Sequence, residues 1–131
     1  PDQLKSLGFL IVEDNAFTAM ELCRELRALG AFAIEVATEG REALHLLDSM
    51  TPEPRVILVD LRMPGMGGTE LLGRLAERKF DGNVLICSGV DSETLEAVES
   101  QARASGLNLG PSIRKPMDRH SMTAALEGLD L

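Results

Sequence analysis

Short apolar runs alternate with segments whose apolar residues recur at helical spacing, and this alternation constrains the fold more than any other feature of the chain. The runs lie at positions 9–12, 33–36, 56–59 and 84–87, with a weaker run around 109–113. The segments between them each place apolar side chains on one helical face. The pattern predicts a five-stranded parallel sheet with five helices packed on its faces.

The last apolar run contains a proline, Pro111. Because proline cannot donate a hydrogen bond to a neighbouring strand, the fifth strand is expected at an edge of the sheet. This placement fits the doubly wound, flavodoxin-like strand order 2-1-3-4-5, in which ligands bind at the carboxyl ends of the strands. We expect a single domain over residues 1–131, with its core between about 7 and 129.

Helix boundaries can also be predicted from local signals. Thr38, either Asp91 or Ser92, and Asp118 are candidate N-caps of the helical segments that follow them. Gly30 and Gly106 are candidate helix stops.

Composition excludes several classes of function. The 131 residues carry a formal net charge of −8, which argues against binding to nucleic acid. No apolar run reaches the length that a membrane span needs, and residues 1–7 lack a secretory signal, so a cytoplasmic location is expected. The two cysteines, Cys23 and Cys87, are predicted to be buried, reduced thiols.

Polar residues follow four of the predicted strands at the points where the apolar runs end. They are Glu13 and Asp14 after the first run, Asp60 after the third, Ser88 after the fourth and Lys115 after the fifth. Since the carboxyl ends of parallel strands meet at one edge of the sheet, these side chains are expected to converge there.

Carboxylates this close together need a counter-charge, because like charges raise each other's pKa. A site of oxygen ligands favours Mg²⁺, with Mn²⁺ as an alternative ion. Asp60 lies on the central third strand and is the best candidate for a nucleophile that attacks phosphorus and forms an acyl phosphate. Ser88 and Lys115 are then partners for the phosphoryl oxygens.

Each of these residues also has an ordinary structural interpretation when it is taken alone. A single Asp after a strand is usually a turn former or a helix cap, and Glu13 and Asp14 could simply cap the first helix. Ser88 could be a turn hydroxyl, and Lys115 a solvated surface charge. Their joint placement at successive strand ends favours the functional interpretation.

The motifs together resemble the receiver domain of response regulators, the CheY-like family of two-component signalling. The resemblance covers residues 7–129 and is carried by IVEDN at 11–15, VDLRMPGMGG at 59–68, Ser88-Gly89 and Lys115-Pro116. It implies that Asp60 is the phosphorylation site and that Ser88 and Lys115 hold phosphoryl oxygens. It also implies a metal site formed by Asp60, Asp14, Glu13 through a water molecule, and the backbone carbonyl of Arg62.

Three positions depart from the family pattern. Gly67 stands where a side chain usually caps the third predicted helix, so Thr69 is expected to replace it. Met117 stands where Phe is frequent, and Ser112 where an aromatic residue usually moves on activation. Without that aromatic ring, we expect Ser88 to pull the 88–91 loop and shift the fourth predicted helix. The Lys115-Pro116 bond is predicted to be cis, since the loop must turn sharply to aim the ammonium group.

The resemblance implies a signalling switch that catalyses only its own phosphorylation and dephosphorylation. Its implied partners are a sensor histidine kinase or phosphotransfer protein, an output domain or partner at the fourth helix and fifth strand, and a second copy of the chain. The approach to the fifth strand, GLNLG at 106–110, resembles receivers joined to cyclic-di-GMP phosphodiesterase modules. Two alternatives are a magnesium-dependent phosphatase, which usually needs an Asp where Arg62 stands, and a pseudo-receiver that only binds proteins.

Overall fold

The computed structural model describes residues 2–63 and 65–129. Within these residues, strands and helices alternate along the chain. In order they are α1 (Asp2–Lys5), β1 (Gly8–Val12), α2 (Ala16–Ala28), β2 (Ala33–Ala37), α3 (Gly40–Ser49), β3 (Pro54–Val59), α4 (Gly68–Glu77), β4 (Asn83–Ser88), α5 (Ser92–Ala104), β5 (Asn108–Leu109), β6 (Ile113–Arg114) and α6 (Arg119–Glu127).

The strands form one parallel sheet in the order β2-β1-β3-β4-β5, with β6 also paired to β4. This order confirms the predicted doubly wound topology, and the five predicted helices correspond to α2 through α6. The one-turn helix α1 was not predicted. In this order the carboxyl ends of β1, β3 and β4 lie side by side, which is the condition for a shared site.

The fifth strand lies at the edge of the sheet, as predicted, but it is divided into two short strands. β5 pairs with the start of β4, and β6 pairs with its end. Between them, Gly110 donates its N–H to the carbonyl of Val84 at 2.9 Å, whereas Pro111 has no N–H to donate. The interruption is therefore the direct consequence of proline in an edge strand.

Helices cover both faces of the sheet. Successive side chains of β1 alternate between the faces: Phe9 and Ile11 pack towards α2 and α6, whereas Leu10 and Val12 pack towards α3, α4 and α5. All four are fully buried, and each such side chain contributes about 1.5–3 kcal/mol to folding. With both faces covered by helices, functional side chains can reach solvent at the strand ends.

The helix starts agree in part with the predictions. Asp91 and Asp118 cap α5 and α6, each accepting a backbone N–H three residues ahead. The cap of α3 is Glu39, not Thr38, which instead donates to Glu42. The cap of α4 is Gly67, with no side-chain hydrogen bond, so the expected replacement by Thr69 is wrong; Thr69 lies inside the first helical turn. Gly30 and Gly106 follow the ends of α2 and α5 with positive φ, as predicted.

Candidate functional site

The predicted site residues are carried past the strand ends by hydrogen bonds that continue the sheet. Glu13 donates its N–H to Ala37 at 2.9 Å, and Asp60 donates its N–H to Val12 at 3.0 Å. Lys115 donates its N–H to the carbonyl of Ser88 at 3.1 Å. These bonds fix the backbone of each residue in register with its neighbour, so their side chains project from one edge of the sheet.

The three carboxylates converge as predicted. Oxygen atoms of Glu13, Asp14 and Asp60 all lie within 4.8 Å of one another. Glu13 and Asp60 are only 2% and 7% exposed, whereas Asp14 is exposed to solvent. Carboxylates at this distance, two of them buried, require positive charge nearby.

Lys115 supplies part of that charge. Its Nζ atom lies 2.5 Å from Oε1 of Glu13 and 3.4 Å from Oδ2 of Asp60. Burial alone lowers the pKa of Lys115, but the hydrogen bond to Glu13 and the charges of Asp60 and Glu13 outweigh this effect and raise it. Lys115 therefore stays protonated at neutral pH.

The electrostatics of Glu13 show that the lysine does not fully balance the acids. Burial raises the pKa of the Glu13 carboxyl, and its hydrogen bond to Lys115 only partly offsets this effect. With every group ionised, three carboxylates and one ammonium leave a charge of −2. A divalent cation bound by oxygen ligands, such as Mg²⁺, fits this deficit and this set of donors.

Asn15 has a role at this edge that was not predicted. Its side chain accepts the N–H of Thr18 and caps α2, so neither Glu13 nor Asp14 is used as the cap. Its own N–H donates to Oε2 of Glu13 at 3.2 Å. An Asn directly before a helical segment is a strong N-cap signal, and this signal could have identified the residue.

The backbone of the loop after Asp60 restrains the Asp60 carboxylate. The N–H of Arg62 donates to Oδ1 of Asp60 at 3.3 Å. A side chain at Gly68 would place its Cβ 2.1 Å from the carbonyl oxygen of Asp60, so only glycine allows α4 to begin this close to the strand end. The loop is also tied to α3, because Gly40 donates its N–H to Met66 at 2.9 Å.

Ser88 lies at the end of β4 and Lys115 directly after β6. Ser88 is 1% exposed, and its hydroxyl oxygen accepts the N–H of Val90 at 3.3 Å. The Lys115-Pro116 bond is cis, as predicted. At the usual aromatic position, Ser112 donates a 2.6 Å hydrogen bond to Oε2 of Glu99 on α5. The sequence did not indicate this contact.

Both cysteines are free thiols. Cys87 is buried beside the site, and burial raises its pKa to about 12. Cys23 is half-buried on α2, so the prediction of burial holds fully for Cys87 alone. No described helix is long and apolar enough to cross a membrane.

Comparison with known proteins identifies the family. The profile of the response regulator receiver domain matches residues 9–127, and the chain belongs to this family. A positive alginate biosynthesis regulatory protein of Pseudomonas aeruginosa is 35% identical over 98 residues, which are 73% of this chain and 39% of that protein. The cyclic di-GMP phosphodiesterase RocR of the same organism is 28% identical over 123 residues, 94% of this chain and 31% of RocR.

The fold is also shared with solved receivers. The structure of a CheX-CheY-BeF3-Mg²⁺ complex from Borrelia burgdorferi aligns with a TM-score of 0.79 and 26% identity, covering 92% of this chain and 86% of that one. This chain spans 16 to 39% of the length of the first four curated relatives that it matches. It is a receiver domain of two-component response regulators.

Proposed function

We propose that Asp60 accepts a phosphoryl group from a phosphohistidine of a sensor histidine kinase or phosphotransfer protein, in a reaction that requires Mg²⁺. The observation that carries the proposal is the convergence of the Glu13, Asp14 and Asp60 carboxylates within 4.8 Å, with Lys115 3.4 Å from Asp60. Acidic residues with a purely structural role at the surface would not need to lie together at one edge of the sheet beside a lysine.

In the proposed reaction an Asp60 carboxylate oxygen attacks phosphorus as the bond from phosphorus to the donor imidazole nitrogen breaks. The Arg62 N–H holds Oδ1 of Asp60, which limits rotation of the carboxylate. Lys115 is close enough to Oδ2 to offset the negative charge of phosphoryl oxygens attached to Asp60. Ser88 supplies a hydroxyl donor from the end of the neighbouring strand.

Glu13, Asp14, Asp60 and the Arg62 carbonyl are the residues that would hold the ion, with Mn²⁺ as an alternative. When bound, Mg²⁺ neutralises negative charge on the carboxylates and on the phosphoryl oxygens. Glu13 and Asp14 would contribute differently to such a site, because Glu13 is buried and Asp14 is exposed. Asp14 is open to water and to the ion, whereas Glu13 is held by Asn15 and Lys115.

A protein is the proposed donor because large apolar side chains are exposed close to the site. Phe17 and Met20, on the first turns of α2, are each 68% exposed, and α2 begins two residues after Asp14. A small phosphoryl donor makes no use of such a patch, whereas a docked protein would bury it. Single substitution of Phe17 is therefore expected to slow transfer from a protein donor more than transfer from acetyl phosphate.

The proposals on domain extent, location and partners follow from membership of the receiver family. We propose that residues 1–131 form one receiver domain in the cytoplasm, which catalyses only its own phosphorylation and dephosphorylation. Its state would be read by an output domain, a partner protein or a second copy of the chain at the face of α5 and the β5–β6 segment. Direct contact with nucleic acid or a membrane is not part of the proposal, given the charge of −8. The similarity to RocR makes a cyclic-di-GMP phosphodiesterase module one proposed output.

The test is phosphorylation by acetyl phosphate with Mg²⁺, followed by intact-mass measurement and peptide mapping. One phosphoryl group is expected, on Asp60, and excess chelator is expected to abolish it. Asp60→Asn should remove the label, and Asp48→Asn, on the exposed surface of α3, should retain it. Full labelling of Asp60→Asn, or labelling that is indifferent to chelator, would contradict the proposal.

A further inference from the structure

A groove runs between α4 and α5, away from the phosphoacceptor site. It has a volume of about 280 Å³ and a mainly apolar lining. Its floor is formed by Leu72 and Ala102, both 4% exposed, and its sides include Thr69, Gly73, Val98 and Gln101. The α5 side extends from Ala97 to Ser105, about 12 Å along the helix axis. The groove therefore has the length of two helical turns.

Packing among the described residues does not explain Gly73. It is exposed in the middle of α4, where glycine costs about 1 kcal/mol relative to alanine. A Cβ atom built at Gly73 meets no described atom outside its own helix turn within 4 Å, so packing between the described elements does not require glycine there. At Gly68 in the same helix, by contrast, the close carbonyl of Asp60 excludes a side chain. A glycine in an open helical position is useful where another molecule must approach the backbone closely.

The net charge of α4 and α5 indicates which kind of partner the groove binds. Together α4 and α5 carry five acidic and two basic residues, a net charge of −3. Arg74 pairs with Glu70 at 3.5 Å and cancels its charge, so the remaining four acidic residues and one arginine still give −3. A second copy of the chain, also at −8, brings further negative charge to this surface. A helix with an apolar stripe and flanking basic residues matches the groove in length and polarity, and it complements the net charge of α4 and α5.

We propose that the groove between α4 and α5 binds a basic amphipathic helix of a partner protein, with an apolar side chain seated against Gly73. The groove is also connected to the phosphoacceptor site. α4 begins at Gly68 against the carbonyl of Asp60, and α5 is capped by Asp91, three residues after Ser88. A shift of either loop moves one wall of the groove, so the affinity for the helix depends on the state of Asp60. This dependence rests on the phosphoacceptor function proposed above.

The test uses a synthetic helical peptide of leucine, alanine and lysine, about 18 residues long, with leucines at helical spacing. A matched peptide carries glutamate in place of lysine. Each is titrated into the ¹⁵N-labelled protein, and amide shifts are followed with and without beryllofluoride and Mg²⁺. The lysine peptide is expected to shift the amides of Leu72, Gly73, Val98 and Gln101, and the glutamate peptide is not.

Two variants locate the binding site. Gly73→Leu adds a side chain to the groove wall at a position where a Cβ atom meets no described atom outside its own helix turn, and it is expected to weaken binding of the lysine peptide by about tenfold or more. Ser100→Leu adds the same side chain to α5 outside the groove lining and should leave the affinity unchanged. Unchanged binding to Gly73→Leu, or equal binding of both peptides, would overturn the proposal. So would self-association of the wild type that Gly73→Leu abolishes, because the occupant would then be a second copy.

Beryllofluoride is expected to change the peptide affinity by about fivefold or more. If beryllofluoride shifts the amides around Asp60 but leaves the affinity unchanged, the coupling is wrong and the phosphoacceptor site stands. If it shifts no amide near Asp60 while Gly73→Leu still weakens the peptide, the phosphoacceptor function fails and the groove stands.

Discussion

Lys115 lies closer to Glu13 than to Asp60: its Nζ atom is 2.5 Å from Oε1 of Glu13 and 3.4 Å from Oδ2 of Asp60. The lysine is thus held by a residue that is not the proposed nucleophile. If Glu13 takes part in holding Mg²⁺ as proposed, Lys115 would be available to contact the phosphoryl oxygens. Lys115 also offsets the charge of two buried carboxylates.

Replacing Lys115 by methionine is expected to lower the free energy of unfolding by about 2 kcal/mol at pH 7 without divalent ions. The loss is below the 3–5 kcal/mol typical of a fully buried pair, because the Lys115 side chain is 24% exposed. Urea unfolding measures this difference, and Lys5→Met, at an exposed position, serves as the control. Added Mg²⁺ should restore part of the stability of Lys115→Met. Equal stability of the variant and the wild type would show that the pair does not offset the buried acids.

The stability of Lys115→Met is also expected to depend on pH. Burial already raises the pKa of Glu13, and loss of Lys115 removes the hydrogen bond that opposes this rise. The folded state of the variant then binds a proton more tightly than the unfolded state, so the destabilisation is present above the folded pKa and is relieved as pH falls through it. The stability deficit should therefore be smaller at about pH 5 than at about pH 7. If the loss of stability in Lys115→Met grew as the pH was lowered, the predicted direction of this pH dependence would be wrong.

Two glycines of α4 are expected to respond oppositely to alanine. Gly68→Ala places a Cβ atom 2.1 Å from the carbonyl oxygen of Asp60, so the helix start must move, with an expected loss of about 2 kcal/mol or more. Gly73→Ala meets open space and is expected to stabilise the chain by about 0.5–1 kcal/mol through helix propensity. Thermal unfolding and acetyl phosphate labelling measure both variants, and only Gly68→Ala should slow labelling. Similar effects of the two substitutions would contradict this assignment of their roles.

Activation is expected to move α5. Ser88, drawn towards the phosphoryl group, would pull the loop that leads to the Asp91 cap, and one new hydrogen bond contributes about 1–3 kcal/mol. Beryllofluoride should then shift amides over 92–104, and Ser88→Ala should reduce those shifts. Shifts confined to the immediate pocket, or a full response from Ser88→Ala, would exclude this route.

The hydrogen bond from Ser112 to Glu99 is expected to resist that movement, because it ties α5 to the segment between β5 and β6 at 2.6 Å. Ser112→Ala should therefore enlarge the α5 response to beryllofluoride, since the helix loses one restraint. Glu99→Gln keeps an acceptor but loses its charge and should give an intermediate response. A smaller response in Ser112→Ala than in the wild type would mean that the contact helps the active state.

The cysteines are expected to differ in reactivity. Burial raises the pKa of Cys87 to about 12, so it remains a protonated thiol at about pH 8, whereas Cys23 is half-buried on α2. A thiol reagent should modify Cys23 first and Cys87 only as the protein unfolds in urea. In Cys23→Ser the fast phase should disappear. Two fast thiols in the native wild type would show that the sheet edge at Cys87 opens readily.

The sequence by itself determined the fold class and predicted which polar residues lie at one edge of the sheet. Runs such as 9–12 and 56–59 are apolar throughout, which requires burial on both faces, and a parallel sheet with helices on both sides satisfies that requirement. Once the strand order is 2-1-3-4-5, the residues that follow the runs must share one edge. For this reason the sequence predicts that Glu13, Asp14, Asp60, Ser88 and Lys115 lie together at that edge.

Only the tertiary structure decided which of these groups pair. Glu13 and Lys115 are 102 positions apart, and whether the ammonium lies nearer to Glu13 or to Asp60 depends on differences of about an ångström that no local pattern encodes. The same holds for the Ser112 bond to Glu99 and the open space above Gly73. Periodicity fixes which face or edge a residue occupies, whereas a particular contact depends on how separate elements pack against each other.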